Sequence, residues 1–338
     1  MTQALDREFS YVLPIRLGAG ETEAARALAT YLRELASWCE DIIVVDDSAP
    51  EARGEHARLW GGPARVAPPD PSHACLNGKV AAVLTGIDLA RHERVVIADD
   101  DVRYDRPSLM RTLELLSDHD LVRPQNYFSP APWHASWDTA RTLLNRATIA
   151  ADFPGTLAVR RSSLRAAGGY DGDVLFENLE LIRTIRAHGG SIAAPADLYV
   201  RRLPPHARHF IGQRVRQAYD DFAMPVRMAI WLAILPGLLA LTPRRGAWPW
   251  GAAGALAVGL AERGRRRAGG RRFYGPAATA LAPLWVLERA VCAWLAVLDR
   301  TARGGIRYSN GLIRVAAHSE RSLRRARVST MRPARDAG

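Results

Sequence analysis

The chain has 338 residues, a formal net charge of +11 and 48% hydrophobic residues, enough for one large domain or two ordinary ones around a substantial core. Its three cysteines, Cys39, Cys75 and Cys292, are odd in number and widely spaced, which excludes a disulfide framework or a cysteine metal site and favours a reducing, cytoplasmic setting. The N-terminus lacks the apolar core of a signal peptide, and the arginines flank apolar runs instead of forming a nucleic-acid-binding motif, so nucleic acid is set aside as a partner.

In chain order, a strand is predicted at 9–15 and an amphipathic helix at 22–38, with Thr22 as its N-cap. A second strand follows at 42–46. The stretch 49–71 is rich in Pro and Gly and reads as mostly loop around a short strand near Arg65–Ala67. A helix at 79–90, a strand at Arg94–Ala98 and a helix starting near Pro107 come next. Residues 121–123 form a further strand. The segment 125–140, with Trp133, His134 and Trp137, reads as a loop over the site, with a helix at 138–149. A strand at 156–159 and a helix at 177–188, closed by Gly189 and Gly190, complete an alternation that predicts an α/β domain with a mostly parallel sheet.

Two of these strands end in acids. The run Arg94-Val-Val-Ile-Ala-Asp-Asp-Asp-Val102 delivers Asp99, Asp100 and Asp101 to a strand end, where open α/β sheets bind ligands. Clustered acids repel one another unless a cation joins them. Asp99 and Asp101 point the same way in an extended segment, a spacing able to hold Mg2+ or Mn2+ against a diphosphate. An acidic turn is the plain alternative. The second case, Asp41-Ile-Ile-Val-Val-Asp-Asp-Ser48, ends in Asp46 and Asp47. Between them lies Asn77-Gly-Lys79, whose lysine is the only one in the chain and suits a phosphate as a point charge.

The order of these motifs, followed by Gly168-Gly-Tyr-Asp171, Glu177-Asn-Leu-Glu-Leu181 and Gln213-Arg-Val-Arg-Gln217, resembles family 2 glycosyltransferases of the GT-A fold. The last motif is similar to the Gln-x-x-Arg-Trp signature of their membrane-bound branch. The resemblance covers roughly residues 8–225. It implies an inverting transfer of a sugar from a nucleotide-diphosphate donor to a lipid or lipid-linked acceptor. Donor contacts fall on Asp46, Asp47, Lys79, Asp99, Asp100, Gln213 and Arg216, with Mn2+ or Mg2+ on Asp99 and Asp101. Two positions depart from the family pattern: Asn178 stands where the family has its catalytic Asp, and Gln217 replaces the Trp. An amide has no useful basicity near neutral pH, so Glu177 or Glu180, three apart on one helical face, is expected to serve as base. Glu177 as a helix-terminal residue complementing the dipole is the alternative.

The C-terminal third predicts the location. Apolar runs at 228–241 and 247–261 are each short of the ~20 residues of a straight span, but Trp231, Trp248, Trp250 and the basic segment 263–272 suit membrane interfaces. The third run, 277–298, carries Glu288-Arg289 in its middle, at about 2.5–3.5 kcal/mol per centred charge, and is expected to lie along the surface. The expected organisation is therefore a catalytic domain at 1–225, two short spans and one interfacial helix at 226–300, and a small hairpin with a basic tail at 301–338. Catalytic domain and tail are placed on the cytoplasmic side of the cell membrane. Two other functions compete with this one. A phosphatase using Asp99 needs a downstream cation, commonly lysine, and the only lysine lies upstream. A catalytically impaired, nucleotide-sugar-binding membrane scaffold explains Asn178 but not an intact Asp-x-Asp.

Overall fold

The computed structural model describes residues 8–18, 20–149, 152–308 and 311–331. The chain opens with β1 (Ser10–Ile15), α1 (Thr22–Leu35), β2 (Asp41–Asp46), α2 (Pro50–Trp60), β3 (Arg65–Ala67), α3 (Gly78–Leu89) and β4 (Arg94–Ala98). It continues through β5 (Val102–Arg103), α4 (Arg106–Asp118), β6 (Leu121–Val122), β7 (Gln125–Phe128), α5 (Trp133–Thr148) and β8 (Thr156–Arg160). Then come α6 (Arg161–Ala166), α7 (Glu177–Ala187), β9 (Ile192–Ala193) and β10 (Tyr199–Arg202).

The main sheet has seven strands in the order β3-β2-β1-β4-β8-β6-β9. Strands β3, β2, β1 and β4 are parallel, and β8 runs against both β4 and β6. The expected α/β architecture with a mostly parallel sheet is what forms. Both faces are covered, so β1 and β2 are buried throughout, and their apolar runs alternate between two cores. Tyr11, Leu13, Ile42 and Val44 pack with Leu28, Leu32 and Leu35 of α1. Val12, Ile43 and Val45 pack with Val83 and Ile87 of α3 and Ile182 and Ile185 of α7. Four parallel strands thus end along one edge, where β2 and β4 release their acids.

Three segments correct the sequence expectation. Residues 50–60, expected as loop, form α2; only His56 and Trp60 are buried there, so the helix lacks the apolar stripe that would betray it. What holds it is the indole of Trp60, which donates to the Ala25 carbonyl at 3.0 Å. The expected loop at 125–140 is strand β7 followed by α5, which starts at Trp133 after Pro132. Strand β7 belongs to a second, three-stranded sheet, β5-β10-β7, built of strands too short to register as a periodic pattern. At α1, Thr22 is the first helical residue and Glu21 takes the cap position, its carboxylate accepting the Gly18 N–H at 2.5 Å.

The remaining elements are α8 (Ala207–Gly212), α9 (Arg214–Tyr219), α10 (Pro225–Arg245), α11 (Trp248–Arg266), α12 (Pro276–Ala280), α13 (Ala282–Arg303), the antiparallel pair β11 (Ile306–Tyr308) and β12 (Gly311–Ile313), and α14 (Glu320–Met331). The tail expected to be partly disordered is therefore helical as far as Met331, and the rest of it lies outside the described residues. Among the described residues one helix, α10, is long and apolar enough to cross a membrane, with a mean hydropathy of 1.7 over its best window. The second expected span is instead a helix docked on the α/β domain. In α11, Ala257, Ala261 and Gly264 are buried, and the Arg146 guanidinium of α5 donates to the Gly264 carbonyl at 3.2 Å. Nor is the Glu288-Arg289 pair a membrane-surface feature. Glu288 accepts from Trp137 Nε1 at 2.6 Å and from Arg214 Nε at 2.8 Å, and Arg289 lies 3.5 Å from Asp221. Both charges are turned into the protein.

The seam between α5 and α11 depends on a glycine. A Cβ on Gly264 would overlap the Leu143 carbonyl, and that neighbour is backbone, which cannot rotate away. Gly264→Val is expected to destabilise the protein by about 1–3 kcal/mol, the usual cost of overpacking, with a lower thermal midpoint in detergent. An unchanged midpoint would mean the two helices are not held at this distance.

Candidate active site

A cavity of about 730 Å3 opens at the carboxyl ends of β1, β2 and β4. Its wall gathers residues far apart in the chain, among them Asp47, Lys79, Asp99, Asp100, Asp101, Glu177, Asn178, Gln213 and Arg216. Each is delivered by a distinct local device. Asn77 caps α3, accepting the Lys79 N–H at 3.2 Å, while its amide donates to the Val174 carbonyl at 3.1 Å. The Asn-Gly-Lys sequence thereby starts a helix with its lysine side chain turned into the cleft. Gly155 follows a similar logic: a Cβ there would sit 2.7 Å from the Asp99 carboxylate, so the close approach of that loop to the acidic strand end requires glycine.

The acids are tied to cations. Lys79 Nζ lies 2.5 Å from Asp99 Oδ1 and 2.7 Å from Glu177 Oε1. Burial pulls its ammonium downward, but the carboxylates of Asp99 and Glu177 outweigh it and hold the group well above its ordinary pKa. Arg202 Nε donates to both oxygens of Asp101 at 2.8 Å, and its Nη2 lies 3.4 Å from Asp99. Asp100 has no such partner of its own. Its surroundings desolvate it and the charges of Asp101 and Asp99 repel it, so its carboxyl is pushed up to about 6. Burial likewise raises Asp101, against the pull of Arg202.

Two of the expected site residues are elsewhere. Asp46 is wholly buried beneath the strand end, where it accepts the Ser48 N–H at 3.0 Å and pairs with His56 Nδ1 at 2.8 Å. It braces the β2–α2 turn and does not reach the cleft. Glu180 is also fully buried, accepting the His318 N–H at 2.7 Å and pairing with its Nδ1 at 3.0 Å. It anchors the C-terminal segment, and the assignment of Glu180 as a base is corrected accordingly. One helical turn separates it from Glu177, and the helix's packing on the sheet sends the two carboxylates to different neighbours. Glu177, by contrast, lines the cleft. Asn178 does too, with its amide donating to the Pro154 carbonyl at 3.0 Å.

The Gln213 motif folds as a break between α8 and α9. Arg216 Nη1 donates to Gln213 Oε1 at 2.8 Å, and its guanidinium stands 4.4 Å over the Tyr308 ring. Gln217 accepts from Arg214 Nη1 at 2.8 Å.

Sequence reasoning missed Arg202 and Asp220. Arg202 sits in the second sheet, where no pattern marked it. Asp220 begins the 3-10 turn Asp220–Ala223 immediately after α9 and lines the same cleft. Its Oδ1 is buried and has no hydrogen-bond partner. Burial, reinforced by the charges of Glu177 and Asp221 against the opposing pull of Arg216, pushes its carboxyl up to about 7. Its position a few residues beyond the Gln213 motif was the only available signal.

Oxygen donors of this kind suit a hard divalent cation. Among the described residues no cluster of three or more side chains is arranged as a complete metal site. Asp99 and Asp101 nevertheless fit the partial set usual for Mg2+ or Mn2+, whose remaining ligands are substrate phosphates and water. The elevated Asp100 carboxyl marks the negative charge that such an ion would offset.

No protein-family model matches the chain, and no curated protein does. Solved structures do. The mannosyltransferase PcManGT from Pyrobaculum calidifontis, in complex with GDP-Man and Mn2+, superposes with a TM-score of 0.50 at 18% identity, covering 87% of this chain and 88% of that one. Glucosyl-3-phosphoglycerate synthase from Mycobacterium tuberculosis, in complex with phosphoglyceric acid, gives a TM-score of 0.41 at 18% identity, over 62% of this chain and 77% of that one. At such identities the likeness is one of fold. The chain has a glycosyltransferase fold of the GT-A type.

The Lys79–Glu177 contact makes a quantitative claim. Lys79→Gln and Glu177→Gln are each expected to destabilise, and the double substitution less than the sum. The expected coupling is about 0.5–3 kcal/mol, the range of residues sharing one charged network, measured by denaturant unfolding. Strict additivity would show that the pair does not form.

Proposed function

We propose that this chain is a glycosyltransferase that moves a sugar from a nucleotide-diphosphate donor to an acceptor oxygen. The observation that carries the proposal is the convergence, on a GT-A-type fold, of Asp47, Lys79, Asp99–Asp101 and the Gln213–Arg216 motif on one cleft at the strand ends. In this reading Asp47 receives the nucleotide. Asp99 and Asp101 hold Mn2+ or Mg2+, which when bound offsets the charge developing on the leaving diphosphate. Arg202 and Lys79 hold both carboxylates in place, and Arg216 adds a guanidinium for the donor's phosphate oxygens. The acceptor proton needs a group that is basic at neutral pH and not already engaged. Glu177 is bonded to Lys79, whereas Asp220 has an unbonded oxygen and a carboxyl near pH 7. Asp220 therefore takes the proton, and Glu177 positions Lys79. A side chain able to do this weakens the scaffold reading that Asn178 invited.

Membrane attachment belongs to the same proposal. Helix α10 exposes Val226, Ile230, Leu239 and Leu241, and α13 exposes Leu284, Val291, Trp294 and Leu298. Chain on both sides of this helical region returns to one domain. The Leu175 N–H donates to the Val315 carbonyl at 3.0 Å and the Phe176 N–H to the Ala316 carbonyl at 2.8 Å. A single crossing by α10 would tear these contacts apart. In this proposal the apolar faces rest in one leaflet of the cell membrane, with the catalytic domain and tail both cytoplasmic and the cleft turned toward a lipid or lipid-linked acceptor.

Membranes carrying the protein, incubated with labelled nucleotide sugars and Mn2+, should yield a labelled product that Asp101→Asn abolishes. Asp220→Asn should lower kcat/KM about 100-fold or more and flatten the pH profile. Since Asp220 works deprotonated, the wild-type rate should climb as pH rises through about 7 and then level. A wild-type climb surviving in Asp220→Asn would place the base elsewhere.

Reporter fusions after Gly338 and before Met1 should both report the cytoplasm. Opposite sides would refute attachment to one leaflet.

A further inference from the structure

The cleft continues past the acidic strand ends into a part walled by Arg216, Arg227 and Arg289. These residues come from α9, α10 and α13 and not from the strand ends where the acids of the Asp-x-Asp motif lie. Arg289 is 1% exposed, yet its Nε has no hydrogen-bond partner, and neither does Nη1 of Arg227 or Nε of Arg216; Arg227 Nε and Arg289 Nη1 meet only Asp221, as ion pairs. The acids at hand are Asp221, which lies 2.9 Å from Arg227 and 3.5 Å from Arg289, and Asp220, whose carboxyl sits near pH 7. Three guanidiniums thus face two acids, and of these only Asp221 pairs with Arg227 and Arg289. Buried donors left unpaired are costly and are rare in folded proteins.

The guanidiniums are also held in place. Arg289 stacks 5.1 Å over Trp285 and Arg227 lies 5.9 Å over Trp231. The two indoles pack edge to face at 5.6 Å. Fixed, desolvated guanidiniums that each keep an unpaired N–H match the oxygens of a phosphate.

We propose that Arg289 and Arg227 form a subsite for a phosphate group carried by the acceptor, with Arg216 standing between it and the donor end. This rests on the glycosyltransferase reading, because it is the acceptor end of the cleft that the arginines occupy. The phosphate is a handle: it seats the acceptor so that a hydroxyl elsewhere on the molecule meets Asp220. Val226 and Ile230 lie exposed beside Arg227, so the subsite borders the apolar face of α10, where the tail of a lipid-linked phosphate would run.

The test uses the full chain in detergent micelles and measures binding of decyl phosphate, inorganic phosphate and decanol. A nucleoside diphosphate with Mn2+ reports on the donor end. Arg289→Gln and, separately, Arg227→Gln should weaken decyl phosphate about tenfold or more, as expected for truncating a desolvated charged contact, and shift the nucleoside diphosphate less than about twofold. Arg289→Lys should retain part of the affinity, which distinguishes lost charge from a lost fold. Decyl phosphate binding more tightly than inorganic phosphate indicates a lipid-linked acceptor, and equal affinities a soluble one; both support the subsite. Decanol binding as well as decyl phosphate would overturn it, as would an unchanged Arg289→Gln or equal losses for nucleoside diphosphate and phosphate. Should the wild type bind decyl phosphate through Arg289 but no nucleoside diphosphate, the phosphate site stands and the glycosyltransferase reading falls.

Discussion

The structure of the cleft depends on the neutralisation of the acids that β4 releases. Asp99 and Asp101 end a strand with nowhere to turn but into the cavity, and like charges so placed repel. Lys79 from the start of α3 and Arg202 from the second sheet meet them. Lys79 also reaches Glu177 at the start of α7. One charged network therefore joins both sheets and two helix starts. The small sheet β5-β10-β7 owes its importance to this: it is the platform that presents Arg202.

The same rule, that a buried charge must find a partner, explains how the C-terminal helices attach. Glu288 and Arg289 in the middle of α13 would be expensive in lipid. They instead meet Arg214, Trp137 and Asp221. The helices are thus keyed to the α/β domain by charge on one side and present apolar surface on the other. Arg146, wholly buried, extends the seam by donating to the Gly264 and Arg267 carbonyls and to Tyr199. Through such contacts the helical region supplies part of the cleft wall. Arg227 and Arg289 reach the cavity only because α10 and α13 are seated in this way.

Burial sorts the carboxylates into distinct roles. Asp46 and Glu180 are fully enclosed and fully engaged, and they brace the turn after β2 and the C-terminal segment. Asp99 and Asp101 face the cleft but are paired. Asp100 and Asp220 face it without a comparable partner, and both carboxyls lie above the ordinary range. Perturbed groups of this kind mark working sites more often than structural ones. Groups whose pKa values are pushed apart within one cavity are those that chemistry can use.

Much of this was legible in the chain alone. The alternation of apolar strands and helices, the acids at the ends of β2 and β4, and Asn77-Gly-Lys79 before a helix are local patterns, and local patterns follow from backbone geometry and side-chain periodicity. They located Asp47, Lys79, Asp99, Asp101 and Glu177, all of which line the cavity. Helix α2 escaped notice because it buries two residues and carries no stripe, and the second sheet because its strands are too short to show a period. Which acids turn inward was decided elsewhere. Glu177 and Glu180 share a helical face in sequence, yet the packing of α7 gives one to Lys79 and the other to His318, 138 residues away in the chain. Arg202 and Arg289 came to the cleft only when separate elements met, because the charge that each answers lies on a distant segment. Local sequence determined the elements and the acidic strand ends; tertiary packing decided which charges face one another, since electrostatic partnership depends on distance in space and not on separation along the chain.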